Sequence, residues 1–213
     1  LNKHESQYWD ITLKTVSENL KKRQMVPFIA EDRKEAKKIL FSLLQEGNLV
    51  AWGGSETISE LGIIDEIKEN KSLKYIDRLD GKTPDEFNTL CLESLQSDVF
   101  LMSSNALTRS GELVNVDGKG NRVQGLIMGP KSVVIVMGIN KIVNDLESAY
   151  SRIRNVAASM NAIRLDKKTP CKTTGKCFEC LVPECMCANI VLTRFSYVKD
   201  RIKVILVKES IGF

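Results

Sequence analysis

Five of the six cysteines stand within seventeen residues, as Cys171, Cys177, Cys180, Cys185 and Cys187 in "CKTTGKCFECLVPECMC". Thiols at this density bind metal or do redox chemistry, since core packing calls for no C-x2-C beside a C-x-C. Thr-Gly-Lys and Val-Pro turn the backbone, so four thiolates can converge on one centre without help from the rest of the chain. Sites built from four cysteines hold zinc or iron–sulfur. A zinc ribbon uses two C-x2-C knuckles separated by about 15–20 residues, and only one such pair is present. A single tight loop with uneven spacing fits an iron–sulfur cluster of the 4Fe–4S type better, with zinc as the alternative. Lys172, Lys176 and the backbone N–H groups around Gly175 would offset the cluster's negative charge. Cys91, between Leu90 and Leu92, is a packing cysteine.

Histidine limits the remaining chemistry. His4 is the only one and lies in a polar N-terminal segment, which argues against Ser-His-Asp, Cys-His and His-metal mechanisms. Two glycine-bearing loops could hold an anion instead. Gly53-Gly54-Ser55 follows an apolar run and precedes a helix, where small residues free backbone N–H groups; a plain turn capped by Ser55 explains it about as well. The stretch 103–123, "SSNALTRSGELVNVDGKGNRV", concentrates Asn, Asp, Gly and Ser beyond what strand edges need and contains two turns. If both loops follow strands of one parallel sheet, they meet where such sheets bind ligands.

The elements that must position these loops alternate. Tyr8, Ile11, Leu13, Val16 and Leu20 predict an amphipathic helix over residues 5–25. Residues 26–30 form a short apolar run. Asp32 can cap a helix reaching residue 44, ended by Gly47. Strands are expected at 48–52, 73–76 and 98–103, with a helix between the last two that opens on a Thr83–Glu86 capping box. The run 132–137 is continuous and β-branched, as a strand buried on both faces should be. A long helix follows over 143–165. The tail carries two β-branched runs, 190–198 and 201–207, joined by Lys199-Asp200, which predicts a closing antiparallel hairpin. The expected fold is therefore α/β: a mostly parallel sheet with helices on both faces, a Cys-rich loop and a C-terminal β-hairpin.

Composition sets the outer limits. A chain of 213 residues that is 43% hydrophobic supports a substantial core. A net charge of +4 spread over 31 basic and 27 acidic residues is no nucleic-acid footprint. No apolar run reaches a membrane span and the N-terminus lacks a signal-peptide pattern, so a cytoplasmic protein is expected.

Four segments, "VAWGGSETISELGI" (50–63), "SDVFLMSSNALTRSGELVNVDGKGNRV" (97–123), "GINKIVNDLESAYSRIRNVAA" (138–158) and the cysteine block, resemble in this order the LUD domain family of lactate-utilisation proteins, formerly a domain of unknown function. The resemblance covers nearly the whole chain and implies a domain over 25–213 preceded by an N-terminal helix at 1–24. It implies a fold of the NagB/RpiA/CoA transferase-like superfamily, in which the glycine loop holds a phosphate or an acyl-coenzyme A. By position, Gly53, Gly54, Ser55, Asn105, Asn115, Gly118, Asn121 and Arg122 would bind the ligand, and Glu112 and Asp117 would be the carboxylates for acid–base or nucleophilic work. The family's C-x5-C-x2-C-x6-C spacing falls on Cys171, Cys177, Cys180 and Cys187, leaving Cys185 without a role. What the resemblance implies for function is a redox accessory or subunit in lactate-like organic-acid oxidation, with a small anionic ligand and an iron–sulfur redox partner protein; a homo-oligomer would suit it too. The alternative is a non-redox isomerase- or transferase-like domain for a sugar phosphate or acyl-coenzyme A, stapled by zinc.

Overall fold

The computed structural model describes residues 2–213. The chain begins with α1 (Lys3–Lys22), opened by Asn2, whose side chain accepts from the amides of His4 and Glu5 while Glu5 reaches back to the Asn2 amide. Leu13, Val16 and Leu20 on its inner face have no solvent exposure. β1 (Val26–Ala30) follows, then α2 (Arg33–Ser42), capped by Asp32 accepting from Glu35. β2 (Leu49–Trp52) ends at the glycine loop, which leads into α3 (Glu56–Glu60) and α4 (Ile63–Glu69). β3 (Lys74–Ile76), α5 (Pro84–Glu93) with its expected Thr83–Glu86 capping box, and β4 (Val99–Met102) complete the first half.

The second half interleaves two sheets. β5 (Ala106–Thr108), β6 (Leu113–Asp117), α6 (Val123–Ile127), β7 (Ser132–Gly138) and β8 (Ile142–Val143) come first. A helical stretch follows as α7 (Leu146–Arg152) and α8 (Ala158–Arg164), joined without a break by a π-helical turn, Ile153–Ala157. α9 (Pro170–Thr174) opens the cysteine segment, and β9 (Asn189–Thr193) and β10 (Ile202–Val207) close the chain.

β1, β10, β7, β4, β2 and β3 lie in that order in one six-stranded sheet, parallel throughout. β7 sits inside it, and its side chains alternate between two cores. Val133, Ile135 and Met137 join Leu13, Leu20 and Phe100 on one face, while Val134 and Val136 join Leu40, Ile58 and Ile67 on the other. That alternation is why a continuous apolar run here is a strand covered by helices on both sides. The smaller sheet, in the order β8, β5, β6, β9, is antiparallel except between β5 and β8.

The expected C-terminal hairpin is not formed. β9 pairs antiparallel with β6, whereas β10 runs parallel between β1 and β7 in the other sheet. The turn residues are real, with Asp200 at φ 60°, but Ser196 and Asp200 donate their amides to Arg23 and Gln24 rather than across a ladder. Burial explains the parting. β10 is buried along almost its whole length, which demands an interior place, while the half-exposed β9 tolerates an edge. The long helix is shorter than expected as well: Val143 belongs to β8, and Asp145 caps the helix by accepting from Ser148. Among the described residues no helix is long and apolar enough to cross a membrane.

Candidate functional site

A cavity of about 680 Å³ opens where β2, β4 and β6 end. In parallel α/β sheets this carboxyl edge is where loops diverge and leave room for ligands. Of the residues singled out from sequence, Gly54, Ser55, Asn105, Asp117, Gly118, Asn121 and Arg122 line it. Gly53 and Asn115 stand behind its wall. Glu112 does not reach it, lying beyond the opposite end of β6.

Arg122 organises the wall. One terminal nitrogen donates to the Ser103 carbonyl at 2.6 Å and to Asn115 Oδ1 at 3.0 Å. The other donates to Asn105 Oδ1 and the Val116 carbonyl, both at 2.8 Å. All four terminal N–H groups are thus used within the protein, so Arg122 serves as a knot between β4, β5 and β6 with little donor capacity left for a ligand. A Cβ added at Gly53 would sit 2.6 Å from Arg122 Cγ, so glycine is needed there to let the knot close. Asp117 holds the turn that delivers Arg122, accepting from the amides of Gly120 at 2.9 Å and Arg122 at 3.0 Å. Burial lowers the Arg122 pKa, and the neighbouring Asp117 charge works against that.

Glu112 has a comparable structural task elsewhere. It pairs with Arg23 at 2.5 Å and accepts from the hydroxyls of Thr108 and Ser110, tying the β5–β6 turn to the end of α1. Burial pushes its carboxyl upward, but Ser110, Thr108 and Arg23 together hold it below the usual range.

The cavity is cationic. Arg78, Lys119, Arg122, Lys141, Arg164 and Lys167 line it against Glu56, Asp117 and Glu184. Arg78 donates one nitrogen to the Trp52 carbonyl at 2.7 Å, and burial lowers its pKa. Lys141 was not foreseen. It is only 2% exposed, and its Nζ donates to Thr57 Oγ1 at 2.6 Å and Ser103 Oγ at 3.0 Å. Burial, with Arg152 and Arg122 nearby, brings it down to about 7, against a small opposing pull from Glu60. A lone lysine inside the apolar stretch "MGINKIVN", just after the buried strand β7, was the available signal. The π-helical turn matters here too, because it ends at Ala157, which lies on the cavity wall together with Ala158, the first residue of α8.

A second cavity of about 320 Å³ lies alongside, walled mainly by apolar groups such as Ile153, Phe178, Leu181 and Ile190. Cys171, Cys177, Cys180, Cys185 and Cys187 all line it, and all are free thiols. Burial, then the proximity of Cys185, Cys177, Cys171 and Cys180, pushes the Cys187 thiol up to about 12. Cys180 is raised by burial and by its hydrogen bond with Cys185. Among the described residues no three Cys, His, Asp or Glu side chains are grouped so as to hold a single ion. The sulfurs ring a volume instead of meeting at a point. Val116, Ala158, Cys185, Met186 and Cys187 line both cavities, so two of the five thiols stand on the wall that the cavities share. Cys91 is buried on α5, as a packing cysteine should be.

Fold and cleft together define the class: an α/β protein with helices packed on a six-stranded all-parallel sheet. Within that class the chain belongs to the LUD domain family, related to lactate-utilisation proteins, whose model matches residues 13–207. In structure the chain is similar to a DUF162 family protein from Deinococcus radiodurans, with a TM-score of 0.54 and 11% identity over 93% of this chain and 97% of that one. Partial likeness extends to eIF2B delta from Chaetomium thermophilum (TM-score 0.37, 13% identity, 56% and 50% covered). It extends likewise to ribose 5-phosphate isomerase A from Methanocaldococcus jannaschii (TM-score 0.35, 15% identity, 54% and 55% covered). No curated protein matches the chain in sequence.

Proposed function

We propose that this LUD domain is a redox subunit in the oxidation of a small organic acid of the lactate type, working with an iron–sulfur partner protein. In this reading the cationic cavity takes the anionic substrate, and the adjoining cavity carries a 4Fe–4S cluster on Cys171, Cys177, Cys180 and Cys187. The observation that carries it is the shared wall of Val116, Ala158, Cys185, Met186 and Cys187. A redox centre held by Cys187 would sit on the wall that a ligand in the cleft touches.

The donor set suits such a group. Zinc asks four donors to meet at one centre at about 2.0–2.3 Å, whereas a four-iron cluster takes one thiolate per iron around its outside. Five thiols ringing an apolar cavity resemble the second pattern, and low solvent exposure is among the factors that set a cluster's potential. The cluster, when bound, would supply one-electron transfer. The chain's own residues would hold the anion, with the Arg122 knot keeping the wall rigid and Arg78, Lys141 and Arg164 giving the cleft its positive field.

Anaerobic reconstitution with iron and sulfide, read by metal analysis and visible absorption, tests the cluster. About four iron per chain are expected, falling sharply in Cys177→Ser. A protein that stays colourless and takes up no iron, or whose iron content ignores that substitution, would remove the redox role.

A further inference from the structure

Lys141 combines burial, at 2% exposure, with the lack of any carboxylate within ion-pair distance among the described residues. Arg122 spends its terminal donors on carbonyl and amide oxygens, with the Asp117 carboxylate 3.9 Å from its Nε. Arg164 faces Glu56 at 3.6 Å. Lys141, among the described residues, has only two hydroxyl oxygens within bonding distance, those of Thr57 and Ser103. The charged groups around it are Arg152 from α7, Arg122 from the turn before α6, and Glu60 from α3. Two are cations that oppose its charge. The acid, Glu60, is drawn elsewhere, to Arg33 at 3.4 Å and the Gly212 amide at 3.1 Å.

Such a site is poor for an ammonium ion and well made for a neutral amine. A neutral amine has two N–H groups, and Thr57 and Ser103 satisfy both; the third proton of the charged form has no acceptor in the protein. An oxyanion in the cleft would supply both the acceptor and the missing counter-charge.

We propose that Lys141 is the proton-linked anchor of the cleft: a carboxylate or other oxyanion binds against its Nζ, and binding takes up the proton that the amine lacks in the free protein. The inference rests on the cationic cavity being the ligand site. It adds a direction to that site, because acid favours capture and alkali favours release. With the free amine near 7, about half a proton is taken up per ligand at pH 7 and about nine-tenths at pH 8, with affinity falling about tenfold for each pH unit above that.

L-lactate and sulfate serve as probes, since neither titrates between pH 6 and 9. Isothermal titration of the full chain, in two buffers of different ionisation enthalpy at each pH, counts the protons exchanged. Wild type should bind with the uptake given above, Lys141→Arg should bind without uptake, and Lys141→Met should lose binding at least tenfold while keeping its circular dichroism spectrum. Binding at pH 8 with no net uptake would overturn the proposal, and so would equal uptake in Lys141→Arg. Should the arginine variant fail to fold, the wild-type affinity profile decides alone, and a flat profile from pH 6 to 9 is fatal. If neither probe binds at pH 6, the ligand site itself is misassigned and the proposal falls with it.

Discussion

Replacing Lys141 by methionine should change how stability depends on pH more than it changes stability itself. The amine sits at about 7 in the folded protein against 10.5 when free. Between these values the unfolded chain holds a proton that the native state does not, so stability rises with pH across this window and is lowest, for this group, below pH 7. Each unit is worth about 1.36 kcal/mol, so going from pH 6 to pH 9 the wild type gains about 2–3 kcal/mol from this one side chain. Only 2% of Lys141 is exposed, so solvent screening takes little from that figure. Methionine keeps most of the volume and removes the titration. It leaves the hydroxyls of Thr57 and Ser103 to each other, at 3.3 Å, at a pH-independent cost of about 1–2 kcal/mol. At pH 9 the wild type still lacks about 2 kcal/mol of what a neutral amine would give, so the variant should stand well above wild type at pH 6 and come down to within about 1 kcal/mol of it at pH 9. Urea unfolding at pH 6, 7.5 and 9, anaerobic and with reductant, gives the comparison, and thiol titrations shared by both proteins cancel in the difference. A gap between the two that moves by less than about 0.5 kcal/mol across this range would mean that Lys141 keeps an ordinary pKa, and the account of its surroundings would be wrong.

Gly53→Ala should destabilise by about 1–3 kcal/mol in urea melts and weaken sulfate binding, because its methyl group would press on the Arg122 stem; unchanged binding would detach Gly53 from the cleft. Glu112→Gln should cost about 1.5–3 kcal/mol through the loss of a charged hydrogen-bond acceptor yet leave sulfate affinity within twofold. The held-down Glu112 carboxyl contributes stability above the ordinary glutamate range that is lost as pH falls through its lower folded value, so the gap between wild type and variant should close in an acid titration. Cys185→Ser should retain the iron content of wild type where Cys177→Ser does not, as measured by metal analysis after reconstitution; equal losses would make Cys185 a ligand.

The parallel sheet was legible because its signals were local and mutually consistent. Capping at Asp32, the Thr83–Glu86 box and the uninterrupted apolar run of β7 each report on a few adjacent residues, and the structure keeps all three. The hairpin was misread for the opposite reason. Two β-branched runs around a turn look alike whether they pair with each other or with distant partners, and only the competition for interior places in the sheet separates them. Much of the cleft was visible as a glycine- and asparagine-rich composition, yet composition does not tell which polar groups are spent internally. Arg122 was expected to bind the ligand and spends its terminal donors within the protein, while Lys141, which no motif picks out, is buried on the cleft wall. Glu112 and Asp117 appeared equivalent in sequence, although the short strand between them carries one to the cleft and the other away from it.

The second sheet then has a reason to exist. The segment carrying the five thiols offers no periodic apolar face with which to anchor itself to a core. Its C-terminal end is fixed by β9, whose register sets Asn189 opposite Asp117. Asn189 also donates its side-chain amide to the carbonyls of Asp117 at 3.2 Å and Gly118 at 2.9 Å. The strand that holds the cysteine segment is thereby tied to the same turn that delivers Arg122. Lengthening or slipping β9 by one residue would reverse its faces and shift Cys185, Met186 and Cys187 on the wall that the two cavities share. The close approach of thiols and cleft is thus set by backbone pairing between β6 and β9.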